Sequence, residues 1–285
     1  MNVSIALLGM AALWAAPLID PRDDPPSTQP RSMDDLPCPP MPVVSPERMA
    51  LIVEPKPHIT KTPPASDADR ANYMRWSKID PDGVCRYRQE NRSLPPATSH
   101  RVIFIGDSIT EAWKPSVPAL FAGDWLDRGV SGETTTQMLA RFRTDVIALN
   151  PAVVHIMGGI NDIATPPGTA LTRSNIESMV ELARAHGIAV ILGAVTPSSF
   201  FQSSPELAPG PHIVWLNRWL RDYADRKGLI YVDYYGPLQD GKLGIKDGLS
   251  NDGLHPNRLG FEVMTPFARA AIDRALKSRA PRSAP

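Results

Sequence analysis

The stretch Arg101-Val102-Ile103-Phe104-Ile105-Gly106-Asp107-Ser108-Ile109-Thr110 decides how this chain folds. A short, continuous apolar run closes on Gly-Asp-Ser, which predicts a strand covered on both faces, as in a parallel sheet. Similar runs follow at Trp125 to Val130, Ala152 to Met157, Ile188 to Gly193 and Leu229 to Val232. Amphipathic segments lie between them, at Thr134 to Leu149 and His212 to Lys227. Ser174-Asn175-Ile176-Glu177 has the capping-box pattern, with Ile176, Met179, Val180 and Ala183 at helical spacing and a stop at Gly187. Phe261, Met264, Ala268, Ala271, Ile272 and Leu276 mark a last helix, which Pro266 is expected to break or restart. Strand–helix alternation over residues 100–279 predicts an α/β domain, a three-layer α/β/α sandwich with a mostly parallel sheet.

Ligands of such sheets bind at the carboxyl ends of the strands. Gly106-Asp107-Ser108-Ile109-Thr110, Ser131-Gly132-Glu133-Thr134-Thr135 and Gly158-Gly159-Ile160-Asn161-Asp162 each follow a strand, and Asn251-Asp252-Gly253-Leu254-His255-Pro256 lies beyond the last. Together they supply a serine, N–H groups beside glycines, an amide, a carboxylate and an imidazole, the components of acyl transfer through a serine nucleophile. Ser108 is weakly nucleophilic until a base takes its proton, and His255 titrates near the working pH. Asp252 lies three residues before His255, within one tight turn of the imidazole. The N–H groups of Ser108 and Gly132 and the Asn161 amide can point at one developing oxyanion. Taken singly each cluster is an ordinary turn; the signal is their joint occurrence, in this order, at strand ends. His155 reads as a core histidine, Asp107 and Asp162 as organisers of their turns, and His186 and His212 as surface residues at helix ends. Trp113, Phe200, Phe201 and Trp215 read equally as substrate walls or as packing residues. The long loop Thr196 to Pro211 is where substrate contacts are expected.

The four blocks resemble those of the SGNH hydrolase superfamily, the GDSL-type esterases and lipases. The longer wording Gly106-Asp107-Ser108-Ile109-Thr110-Glu111-Ala112-Trp113 is similar to the bacterial platelet-activating-factor acetylhydrolase-like branch, which often has Gly where Ala112 stands. The resemblance implies a flavodoxin-like fold for residues 100–279 and ester hydrolysis through an acyl-enzyme, with no metal or cofactor. It implies a catalytic triad of Ser108, Asp252 and His255, with Ser108, Gly132 and Asn161 forming the oxyanion hole. The expected substrate is a short-chain, chiefly acetyl, ester of a small molecule or an O-acetylated carbohydrate. An acyltransferase using the same site, or a non-catalytic envelope protein that binds carbohydrate, is the alternative.

With 30 Lys plus Arg and 30 Asp plus Glu in 285 residues, the chain lacks the basic footprint of a nucleic-acid binder. There is no P-loop, His-Glu-x-x-His, dinucleotide fingerprint or Gly-x-Ser-x-Gly elbow. Of 31 prolines, 17 lie in the first 100 residues. Residues 1–20 suit a secretory signal, which predicts a periplasmic or secreted protein with no stable membrane span; an N-terminal anchor is the alternative. Residues 21–99 read as a Pro-rich arm. Its part up to residue 65 is expected to bury little. Residues 66–91 are expected to form two short helical turns broken at Asp80-Pro81-Asp82-Gly83 and held to the domain by Tyr73, Met74, Trp76 and Tyr87. Residues 280–285 are read as a tail. Cys38 and Cys85 are expected to be bonded if the chain is exported.

Overall fold

In the computed structural model the five apolar runs form one all-parallel sheet, in which the first run lies between the second and the third, and the fourth and fifth follow outside the third. The structure describes residues 38, 45–60, 66–165, 168–202 and 204–278. The signal expected at 1–20, the first part of the arm, the Tyr73 side chain and the tail at 280–285 lie outside the described residues. The chain runs through α1 (Pro46–Val53), α2 (Asp67–Ile79), α3 (Arg88–Ser93), β1 (Val102–Gly106), α4 (Ser108–Glu111), α5 (Trp113–Ser116), β2 (Trp125–Gly129), α6 (Thr135–Ala140) and α7 (Phe142–Asp145). It continues through β3 (Val153–Met157), α8 (Ile160–Ile163), α9 (Thr169–Ala185), β4 (Ala189–Gly193), α10 (Pro209–Lys227), β5 (Ile230–Val232), α11 (Tyr235–Leu238) and α12 (Arg258–Ser278). Helices α6, α8, α9 and α10 pack among themselves, α12 packs on α5 and α11, and the two groups flank the sheet. Every residue of β1 and β3 is buried, which is why their runs are continuously apolar. Phe104 anchors the layer under α12, with Phe121 and Trp113 edge-on at 5.0 and 5.7 Å.

This strand order places a crevice at the carboxyl ends of β1 and β3, where the chain leaves in opposite directions. Close packing there depends on Gly129: a Cβ at that position would meet the backbone of Thr110 and Glu111. Any side chain would therefore push α4 off the end of β2.

Four expectations need correction. The helix expected from Ser174 begins at Thr169, and Ser174 is interior; Asn175 and Ile176 are buried, so tertiary packing carries the helix through the capping pattern. Pro266 does not break α12. It lies on the exposed face, where water can reach the carbonyl it leaves without an N–H donor, while Met264, Ala268 and Ala271 keep the inner face packed. The helix expected over Thr134 to Leu149 is divided at Arg141, whose guanidinium is held by buried carboxylates. The α10 helix starts at Pro209, a favoured first-turn residue, rather than at His212.

The arm also differs from its reading. Residues 46–53 form α1, N-capped by Ser45, and Val53 joins the core. Met74 is 56% exposed, whereas Tyr87 is buried and docks the second piece. The Tyr87 hydroxyl donates to the Gly129 carbonyl on edge strand β2, and its ring lies under the Arg128 guanidinium. Cys38 and Cys85 are disulfide-bonded. No helix among the described residues is long and apolar enough to cross a membrane.

Candidate active site

Asp107 leaves β1 in an extended conformation and caps α4, its carboxylate accepting the Ile109 N–H at 3.0 Å. This turn holds Ser108 half-buried at the strand end, 2.8 Å from His255 Nε2. On the far side of the ring, Nδ1 lies 2.7 Å from Asp252 Oδ2. The other oxygen, Asp252 Oδ1, accepts the N–H groups of Leu254 and His255 at 2.9 and 2.8 Å. The three-residue spacing is thereby explained: one carboxylate both closes the turn and meets the imidazole.

These contacts set the charge states. Burial pushes the Asp252 carboxyl up, but the His255 ring and the hydrogen bonds from His255 and Leu254 outweigh it and hold it at about 2. Burial lowers His255, and the charge and hydrogen bond of Asp252 overcome this and raise it above its ordinary value. Burial pushes Asp107 up to about 7, against the Ile109 N–H and His255. With Nδ1 protonated, Nε2 can accept the Ser108 proton. A hydroxyl held this way can lose its proton as it attacks a carbonyl carbon.

Gly132 sits in the turn after β2 with φ +83°, a conformation that favours glycine, and it is exposed. Asn161, half-buried in α8 beyond β3, donates from Nδ2 to the Glu133 carbonyl at 2.8 Å. That bond uses one of its two N–H donors and ties the two loops together. Among the described residues, no protein acceptor meets the N–H of Ser108 or Gly132. Asp162 accepts from the Thr135 N–H and from the hydroxyls of Thr135 and Thr172, so it organises the neighbouring loop. His155 is a core residue bonded to the Tyr234 hydroxyl, and burial lowers it to about 3. Trp113 is core, donating to the Thr265 hydroxyl, and Phe201 is buried. Trp215 is 45% exposed beneath Arg173. His186 and His212 are exposed. Of the loop after β4, Phe200 lies against Gly253 and Gln202 donates to the Asp252 carbonyl. No cluster of three or more His, Cys, Asp or Glu among the described residues could hold a metal.

Several supporting residues have no signature in the motifs. Arg141 is fully buried; it bonds both Glu133 carboxylate oxygens, Asp145 at 2.9 Å, and the carbonyls of Gly106 and Arg128. It thus links the ends of β1 and β2 to the Gly132 loop. Its only trace in the sequence is Asp145 four residues on. Glu111 receives Arg86 from the arm on one oxygen and the Ser131 N–H and hydroxyl on the other. Burial pushes the Glu133 and Asp145 carboxyls up, against the pull of Arg141. Arg141→Leu strands both, and is expected to cost about 3–5 kcal/mol at pH 8. The cost should be smaller at pH 5, because burial raises both carboxyls and favours their neutral forms as the pH falls; urea titrations at both pH values measure the difference. An equal loss at the two values would contradict the ion-pair account.

A model of the GDSL-like lipase/acylhydrolase family matches residues 104–263. Among solved structures, the chain is 38% identical to a protein assigned as an acylhydrolase from Bacteroides fragilis NCTC 9343, with a TM-score of 0.65. It is 37% identical to a GDSL-like lipase from Bacteroides thetaiotaomicron VPI-5482, also at 0.65. Each match covers 68% of this chain and 98% of the other. A mutant of an acetylxylan esterase from Geobacillus stearothermophilus shares the fold at 21% identity and a TM-score of 0.50, over 62% of this chain and 95% of its own. Comparison with curated protein sequences gives no match.

Proposed function

The chain belongs to the GDSL-like lipase/acylhydrolase family, and on that premise we propose a serine esterase that removes a short acyl group, chiefly acetyl, from a small ester or an O-acetylated carbohydrate. The observation that carries this reading is the relay of 2.8 and 2.7 Å from Ser108 through His255 to Asp252 at the end of β1. Ser108 Oγ attacks the carbonyl carbon as His255 Nε2 takes its proton. The oxyanion so formed is met by the N–H groups of Ser108 and Gly132 and by the Asn161 amide. Collapse expels the alcohol, which receives the proton from His255. Water then repeats the sequence on the acyl-enzyme and releases the acid. Asp252 keeps the proton on Nδ1 and stabilises the imidazolium.

The Cys38–Cys85 bridge supports a periplasmic or secreted location, since structural disulfides persist in oxidising compartments. The testing experiment is hydrolysis of p-nitrophenyl esters from acetate to palmitate. A Ser108-dependent rate that falls steeply beyond butyrate is the expected result. A maximum at long chains would overturn the short-acyl reading. No Ser108-dependent rate at any length would overturn hydrolysis in favour of transfer to a sugar hydroxyl or of non-catalytic carbohydrate binding. Asn161→Ala is expected to reduce kcat by about 10²–10³-fold with little change in KM; an unchanged kcat would remove Asn161 from the oxyanion site.

A further inference from the structure

Asn251, the residue before Asp252, is 2% exposed, and its side chain is occupied mainly by residues about 200 positions away. Its Nδ2 donates to the carbonyls of Leu51, Ile52 and Glu54 at 3.0, 3.0 and 2.6 Å. Its Oδ1 accepts the Lys56 N–H at 3.0 Å and Asn257 Nδ2 at 3.1 Å. Its backbone carbonyl accepts the Thr60 N–H at 2.7 Å. Gln202 then bridges the two segments, donating to the carbonyls of Thr60 and Asp252 at 3.1 and 3.0 Å.

The physical need is plain. An eight-residue helix such as α1 does not persist in water alone, and its last carbonyls require outside donors. Asn251 supplies them. In return, residues 45–60 bear on the Asp252–His255 turn through Asn251 and Gly253. Ile59 reaches Gly253, and Met49, Ile52 and Ile59 pack against the core. This strap lies outside residues 104–263, the part matched by the family.

We propose that residues 45–60 are a working part of the esterase site, and that Asn251 is a positioning residue which couples the strap to Asp252 and His255. The inference rests on the roles proposed above for those two residues. A docked strap keeps the carboxylate on Nδ1 and the ring on Ser108; an undocked strap leaves the turn free to drift. Misplacement of a catalytic group by about 1 Å is enough to cost on the order of 10²-fold in rate.

Two full-length variants test this. Asn251→Ala removes the clasp from the domain side. The double change Lys56→Pro with Thr60→Pro removes the two strap N–H groups that Asn251 accepts, and leaves residues 61–285 untouched. Two quantities are read. One is kcat and KM on p-nitrophenyl acetate. The other is the downfield proton resonance of His255 Nδ1, which needs no turnover. The groups acting electrostatically on that ring are Asp252 and Asp107, which raise it, and Arg48 of α1, which lowers it. Loss of the resonance, rather than the sign of a pKa change, is therefore the informative signal. The expected result is a fall of about 10–100-fold in kcat with KM within about threefold, and exchange-broadening of the resonance, in variants that still melt cooperatively. Folded variants with full kcat and an intact resonance overturn the proposal, leaving the strap a mere cover. If Asn251→Ala does not fold, the double variant decides; if neither folds, the role is purely structural and the proposal fails. If the wild type shows no Ser108-dependent turnover, the esterase reading fails by itself, and the resonance alone decides the coupling.

Discussion

Alanine at Ser108 is expected to lower kcat/KM on p-nitrophenyl acetate by about 10⁴–10⁶-fold, the range found when a serine nucleophile is removed. The change is small in every other respect. The Ser108 hydroxyl makes one side-chain bond, to His255 Nε2, and the residue is half-buried at a helix start where alanine fits. Losing one neutral hydrogen bond costs about 0.5–1.5 kcal/mol, so the variant should melt within a few degrees of the wild type. Residual activity of about 10³-fold over water would reflect the oxyanion donors alone. A variant that kept more than about one part in a hundred of the wild-type rate would show that another group attacks, and the assignment of Ser108 would be lost.

Asp252→Asn is expected to reduce kcat by about 10⁴-fold and to alter the pH profile in a defined direction. In the wild type, His255 is raised above its ordinary value because Asp252 overcomes burial. The base works only when neutral, so the acid limb of kcat/KM should lie above pH ~6.5. Removing the carboxylate leaves burial unopposed at that contact, and the acid limb should move to lower pH. An asparagine amide also presents N–H to Nδ1, which favours the wrong tautomer and accounts for most of the lost rate. An acid limb that stayed in place, or moved upward, would contradict the charge coupling. The same pair bears on stability. Asp252 is depressed to about 2, so its contribution is complete above its unfolded value near 3.8 and is lost as the pH falls towards 2. His255 is raised, so its contribution is present below its unfolded value near 6.5 and is lost as the pH rises through the folded one.

The sheet was legible because burial on both faces leaves a trace in each strand. Phe104 and His155 face each other in register on β1 and β3, and the continuous runs around them mark both strands to within one residue. Ser108, Gly132 and Asn161 were legible for a related reason: each closely follows a strand, where a parallel sheet must place its ligand-facing loops, whereas Asp252 and His255 lie beyond β5 and α11 and were legible from their own spacing. Helix limits were less legible because local patterns compete with packing. Ser174 carries a start signal inside a helix that begins at Thr169, and exposed Pro266 carries a stop signal that the buried face of α12 overrides. The least legible parts act at long range. Nothing near Pro46–Val53 announces that its final carbonyls will be satisfied by Asn251, nor does the stretch around Arg141 show that its charge will be shared by Glu133 and Asp145.

The bridge between Cys38 and Cys85 has a consequence for how the protein tolerates damage. It closes a covalent ring spanning 47 positions, and the whole of residues 45–60 lies inside that ring. A protease that cuts the chain once between Cys38 and Cys85 opens the ring without separating the pieces. The severed strap stays tethered, and its return to Asn251 is intramolecular, at an effective concentration in the millimolar range for a short flexible tether. Nicked enzyme should therefore run as one band on a non-reducing gel and split into two when reductant is added. Reductant alone should leave uncut enzyme in one piece, so covalent integrity is lost only when cleavage and reduction coincide.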